Sequence, residues 1–154
     1  MNRSNHAPRI RIQRLEHARD LPLPSYESRQ AAGMDVRAAL AEPLILQPGE
    51  RALVPTGLRM ALPAGYELQV RPRSGIAWRE GLTMLNSPGT IDSDYRGEVK
   101  LLAVNHGREP VTVRHGDRMA QLILAPVIQA VVEESDRLDE TERGEGGFGS
   151  TGVN

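Results

Sequence analysis

The sequence predicts an all-β domain, a sandwich or barrel with at most one short helix, and three observations carry that reading. Glycines punctuate the middle of the chain at 49, 57, 65, 75, 81, 89, 97, 107 and 116, and turn signals at roughly eight-to-ten-residue spacing mark short strands. Short β-prone runs lie between them, at residues 51–54, 66–70, 99–104 and 111–114. No segment offers three clean turns of helical periodicity without a glycine or proline.

Taken in order, residues 1–8 read as a disordered arm, and 9–15 alternate Ile10, Ile12 and Leu15 imperfectly against arginines, as in an edge strand with one solvated face. The run at 69–73 is a strand ending at Pro72. The following SGIAWREG suits a helical turn or two, with Ser74 as its N-cap. Residues 119–132 are the longest uncharged stretch; interrupted by Gln121, Pro126 and Gln129, they fall short of the ~20 apolar residues that span a bilayer and read as core. Beyond Val132 the chain turns strongly charged and then glycine-rich, with five of its fifteen glycines between 144 and 152. Such a segment buries too little apolar surface to order itself. The expected organisation is therefore a β-barrel domain over 9–134 and a flexible C-terminal arm over 135–154.

Composition excludes several functions. There is no cysteine in 154 residues, hence no disulfide scaffold, thiol nucleophile or cysteine-based zinc site, and the absence fits a reducing, cytoplasmic setting. Nineteen basic residues face twenty acidic ones, so no basic excess points to nucleic acid or an anionic membrane. The N-terminus has no apolar stretch of the secretory kind. Lys100 is the only lysine and does not follow a GxxxxG loop, which excludes a P-loop enzyme. His6, His17, His106 and His115 form neither HExxH nor a close pair and read as surface or loop residues. GEGGFG at 144–149 satisfies G-x-G-x-x-G literally, yet only five residues follow it, too few for a dinucleotide-binding βαβ unit. What survives is a run of backbone amides with Arg143, Ser150, Thr151 and one flat ring, Phe148, groups suited to wrapping phosphates and stacking on a base.

Four segments concentrate polar chemistry beyond the needs of turns. AAGMDVRAA at 31–39 sets Asp35 and Arg37 among small residues, and RPRSG at 71–75 places two guanidiniums, a hydroxyl and a glycine at a strand end. NSPGTIDSDYRGEV at 86–99 gathers Asn86, Asp92, Asp94, Tyr95 and Arg96; GDRMAQLIL at 116–124 carries Gln121 into a core strand. Carboxylates to hold a cation or activate water, forked donors for phosphate, an amide to read a base and a ring to stack on it are the parts of a nucleotide hydrolase.

These four segments and RGEGGFGSTG, in this order, resemble the five motifs of the trimeric dUTP pyrophosphatases (dUTPases), from about residue 9 to the end. The resemblance implies a distorted jelly-roll-like β-barrel protomer and a homotrimer whose three sites are each shared among subunits, the C-terminal arm closing over a neighbour. It implies Mg²⁺-assisted hydrolysis of dUTP to dUMP and pyrophosphate, limiting uracil in DNA and supplying dUMP for thymidylate synthesis. Asp92 then matches the carboxylate that activates water, and Asp35 an outer-shell group holding metal-bound waters. Arg73, Ser74, Gly75 and Gln121 match phosphate contacts, as do Arg143, Ser150 and Thr151, with Gly149 beside them in the arm. Asn86 matches the uracil-reading position, aided by backbone at Thr90, Ile91 and Lys100; Tyr95 matches the ring against deoxyribose and Phe148 the ring capping uracil. Met34 and Pro88 depart from the pattern, Pro88 by removing a backbone donor from the uracil-binding hairpin. Two rivals share the resemblance: a dCTP deaminase of the same fold, for which Glu80 is the sole candidate acid, and a non-catalytic dUTP-binding signalling module.

Overall fold

The computed structural model describes residues 7–147. Ten strands and one helix follow in order: β1 (Arg11–Arg14), β2 (Met34–Arg37), β3 (Leu44–Leu46), β4 (Arg51–Ala61), β5 (Tyr66–Pro72), α1 (Ser74–Glu80), β6 (Leu82–Met84), β7 (Gly89–Ile91), β8 (Glu98–Asn105), β9 (Val111–Val113) and β10 (Arg118–Pro126). A 3₁₀ turn at Glu16–Ala18 follows β1. The strands form two four-stranded sheets, β1-β4-β8-β6 and β2-β10-β5-β7, and a two-stranded ribbon, β3-β9. Every pairing is antiparallel, and the chain crosses repeatedly from one sheet to the other, as in a jelly roll.

Period-two patterning explains which face of each strand is covered. In β8, Val99, Leu101 and Ala103 are buried while Lys100 between them is exposed. In β10, Ala120 and Leu122 are buried and Gln121 faces outward. The two inner faces meet in a core of Val36, Val54, Leu68, Leu101 and Leu122, joined by Val113 of the ribbon, all essentially inaccessible. None of Tyr26, Tyr66, Trp78 or Tyr95 is buried, so aliphatic side chains and methionine fill this interior.

Three details differ from, or add to, the sequence reading. Ser74 is not the N-cap of α1. Arg73 still has extended φ and ψ (−93°, 123°) while its carbonyl already accepts from the Ala77 N–H at 3.1 Å, which is the cap position. Ser74 is consequently the first helical residue. At the other end, Gly81 closes the helix with φ of 72°; a Cβ there would meet the Gly107 backbone, 2.5 Å from its Cα. The uncharged run at 119–132 is only partly core. β10 ends at Pro126, whose partner Tyr66 is the first residue of β5, so beyond it there is no strand to pair with, and Ile128, Val131 and Val132 are at least 94% exposed. Among the described residues no helix is long and apolar enough to cross a membrane.

Candidate active site

Asp35 lies in β2, buried to 7% exposure, between two guanidiniums. Arg118 Nη1 donates to its Oδ2 at 3.0 Å, and Arg73 Nε stands 3.4 Å from its Oδ1. Arg73 is itself held by donating Nη1 to the Arg118 carbonyl at 3.1 Å, and Arg118 is also 3.5 Å from Glu27. Cross-strand register places Gln121 opposite both Asp35 and Arg71, and directly opposed residues share a face of the sheet. Gly33 leaves room for Gln121, since a Cβ on it would approach that of Gln121 to 3.1 Å. With Ser74 and Gly75 opening α1 beside Arg73, this corner assembles forked donors, a hydroxyl and an amide around one carboxylate. Forked guanidinium donors are the groups suited to bidentate contact with an anion.

The second cluster lies where β7 and β8 diverge. β7 is the edge of one sheet and β8 an inner strand of the other, and an edge strand leaves backbone donors and acceptors unpaired. They open into a cavity of about 460 Å³ lined by Leu53, Thr90, Ile91, Asp92, Tyr95, Glu98, Val99 and Lys100. Backbone polar groups between apolar side chains, with Asp92 and Glu98 in the lining, suit a small polar ring. Tyr95 is 46% exposed and donates its hydroxyl to the Glu98 carbonyl at 3.1 Å. Its ring lies over Gly97, where a Cβ would clash with Oη and fall 2.5 Å from Cζ. Asn86 folds over the start of β7, because a Cβ on Gly89 would sit 2.8 Å from its Nδ2. The Ser87–Pro88 bond in that hairpin is cis.

The two clusters occupy opposite edges of one sheet. β2 and β7 are three inter-strand spacings apart, about 14 Å, and the register offset from Arg71 to Glu67 adds about 13 Å along the strands, so Asp35 and Asp92 stand roughly 19 Å apart.

Of the residues picked out in the sequence, Arg73, Ser74, Gly75, Gln121 and Asp35 gather at the first cluster; Thr90, Ile91, Asp92, Tyr95 and Lys100 gather at the second, with Asn86 beside it. Arg143 belongs to neither: it lies in the exposed segment after β10 and donates Nε to the Gly146 carbonyl at 2.8 Å. Phe148, Gly149, Ser150 and Thr151 lie outside the described residues. Glu80, the acid a deaminase would need, sits at the exposed C-terminal end of α1 and does not line the β7–β8 cavity. The structure adds Arg118, Leu53 and Glu98. Arg118 stood inside GDRMAQLIL, where its charge next to a core strand was the available signal, and Glu98 stood inside NSPGTIDSDYRGEV without being singled out; Leu53 carried none.

A β-barrel with an anion-gripping corner and a ring-sized cavity on the same sheet defines a nucleotide-handling protein of the all-β class. The family model for dUTPase matches residues 19–152. The deoxyuridine 5'-triphosphate nucleotidohydrolases of Brucella melitensis biotype 2 and Brucella suis biovar 1 are each 57% identical over 152 residues, covering 97% of both chains. Among solved structures, a mutant dUTPase of Staphylococcus bacteriophage 80alpha with dUpNHpp superposes with a TM-score of 0.84 at 23% identity, over 94% of this chain and 99% of that one. The dUTPase of phage phi11 of S. aureus gives 0.75 at 20% identity, over 86% and 99%. The chain belongs to the dUTPase family.

Proposed function

We propose that the protein hydrolyses dUTP to dUMP and pyrophosphate at sites shared between subunits of a homotrimer. The observation that carries the reading is the split itself. An anion corner and a ring cavity with its own carboxylate, roughly 19 Å apart in one protomer, are too distant for a single triphosphate to bridge. Subunit association would set one protomer's Asp35 corner against its neighbour's Asp92 cavity.

In that arrangement the chemistry follows from the groups available. Uracil enters between β7 and β8 and is read by Asn86 and by backbone at Thr90, Ile91 and Lys100, whose donor and acceptor pattern mismatches cytosine. The Tyr95 ring packs on deoxyribose and leaves no room for a 2'-hydroxyl. Arg73, Ser74, Gly75 and Gln121 hold the phosphates. Asp92 accepts a proton from water as its oxygen bonds to the α-phosphorus; the bond from that phosphorus to the bridging oxygen breaks, and pyrophosphate leaves. Arg143, Gly149, Ser150 and Thr151 complete the phosphate contacts from the arm, and Phe148 caps uracil.

Asp35 suits Mg²⁺ in an outer-shell role. Each of its oxygens faces one guanidinium and keeps a second lone-pair site for a metal-bound water, and Mg²⁺ retains several waters while phosphates supply its direct ligands. The bound ion would neutralise charge on the triphosphate. The phage phi11 dUTPase is described with a coordinated structural Mg(II) ion. A reaction on a free nucleotide is, in this reading, one carried out in the cytoplasm.

The test is pyrophosphate release from dUTP and dCTP. Wild-type protein should turn over dUTP alone, and Asp92→Asn should abolish turnover while dUTP still binds. Asp92→Asn and Arg73→Ala, each inactive alone, should regain activity when co-expressed, because a mixed trimer contains one intact corner facing one intact cavity. Ammonia release from dCTP without turnover of dUTP would overturn the reaction, and failure of complementation would overturn the shared site.

A further inference from the structure

Tyr95 is tied, through Glu98 of its own motif, to residues outside the family motifs. Its hydroxyl rests on the Glu98 carbonyl, and the Glu98 carboxylate, only 17% exposed, is itself anchored twice through one oxygen. Oε1 accepts the Gly57 N–H at 2.8 Å and lies 2.8 Å from His17 Nε2. Gly57 has φ of 65°, and a Cβ there would collide with that of Ala18, so the 3₁₀ turn carrying His17 packs directly on β4 where its register with β8 shifts between Pro55 and Arg59. Leu15 N–H donates to the Gly57 carbonyl at 2.8 Å and fixes the same junction. The result is a continuous chain of contacts from the N-terminal segment, through β4 and Glu98, to the Tyr95 ring in the cavity lining. His17 lies ahead of the residues matched by the family model, 19–152.

We infer that Glu98 and His17 form a clasp that positions Tyr95, so that discrimination between deoxyribose and ribose depends on the turn at Glu16–Ala18. The inference rests on the reading of Tyr95 as the sugar-facing ring. Neither clasp residue is catalytic, since each acts through Tyr95. A second feature makes the clasp economical: Gly57 N–H already satisfies Glu98 in part, so His17 adds orientation rather than rescuing an unpaired buried charge.

The experiment compares wild type, Glu98→Ala, Glu98→Gln and His17→Ala in steady-state hydrolysis of dUTP and UTP, with a thermal melt of each. Glu98→Ala removes both side-chain anchors but keeps the carbonyl under Tyr95; the looser seat is expected to raise KM for dUTP about 5- to 10-fold, the scale of a single hydrogen bond, with kcat nearly unchanged. Its preference for dUTP over UTP should shrink by a similar factor. Glu98→Gln keeps an acceptor for Gly57 and should restore both quantities, while His17→Ala should shift them in the same direction by a smaller amount without lowering the melting temperature as much as Glu98→Ala. Unchanged dUTP/UTP preference in Glu98→Ala, or equal losses in Glu98→Ala and Glu98→Gln, would overturn the clasp. Loss of kcat with KM unchanged would overturn it too. A wild-type protein that does not turn over dUTP would instead overturn the reaction assigned above.

Discussion

Gly97→Ala separates the placement of Tyr95 from the stability of the barrel. The added methyl would collide with the Tyr95 hydroxyl and sit 2.5 Å from Cζ and 2.9 Å from Cε2, far inside van der Waals contact. Gly97 does not have a positive φ, so alanine strains no backbone, and the relief is for the half-exposed ring to swing into solvent. Folding then loses one hydrogen bond to the Glu98 carbonyl, worth about 1 kcal/mol, which lowers Tm by about 2–4 °C at this chain length. Catalysis loses the ring against the sugar. On the scale of aromatic stacking on nucleotides, about 1–3 kcal/mol, kcat/KM for dUTP should fall roughly 5- to 150-fold. Pyrophosphate release and a circular-dichroism melt measure the two effects, and Tyr95→Ala in the Gly97→Ala background should cost little more. A kcat/KM within twofold of wild type, or a Tm fall beyond about 10 °C, would refute the reasoning.

Three further outcomes are expected. Gly81→Ala should destabilise the fold by about 2–4 kcal/mol, because both a left-handed φ and the Gly107 backbone oppose the methyl; chemical denaturation reads this directly. Arg118→Met removes the 3.0 Å partner of a nearly buried carboxylate and leaves Arg73 to pair with Asp35 alone. KM for dUTP should rise several-fold more than kcat falls, and added Mg²⁺ should restore part of the loss. The His115 hydrogen bond, with a local backbone bond, holds the Asp20 carboxyl below its ordinary value. A lowered carboxylate pKa stabilises the fold above the ordinary aspartate range and loses that contribution as pH falls through the folded value. The Tm gap between wild type and Asp20→Asn should therefore be present at pH 6 and close on acidification below about pH 4.

Local chemistry made most of the barrel readable, and long-range pairing hid the rest. Glycines at 49, 65, 97, 107 and 116 fall between strands as their spacing promised, whereas Gly57 lies inside β4, Gly75 inside α1 and Gly89 at the start of β7; β8 and β10 show the alternation their sequences promise. The error at Ser74 is one of register: Arg73 remained extended long enough to take the cap, and no composition signal separates the two positions. The uncharged run beyond Pro126 looked like core because hydropathy counts side chains and not partner strands. At the candidate site, motif residues on a single strand or turn were legible. Arg118 meets Asp35 across 83 residues and His17 meets Glu98 across 81, so neither pair leaves a trace in spacing. His17 and His115 do lie at the surface, as their isolation in the sequence suggested, yet each is engaged by a carboxylate.

The aliphatic interior has a practical consequence for watching this protein unfold. Its one tryptophan, Trp78, is 90% exposed on α1 of the single chain, so the indole already sits in water in the folded protomer. Unfolding should produce almost no red shift in its emission, and a fluorescence melt would register a stable barrel as though nothing had happened. The same indole is a clean reporter of a different event. Any molecule that settles on the outer face of α1 will be seen as a blue shift against an otherwise silent background.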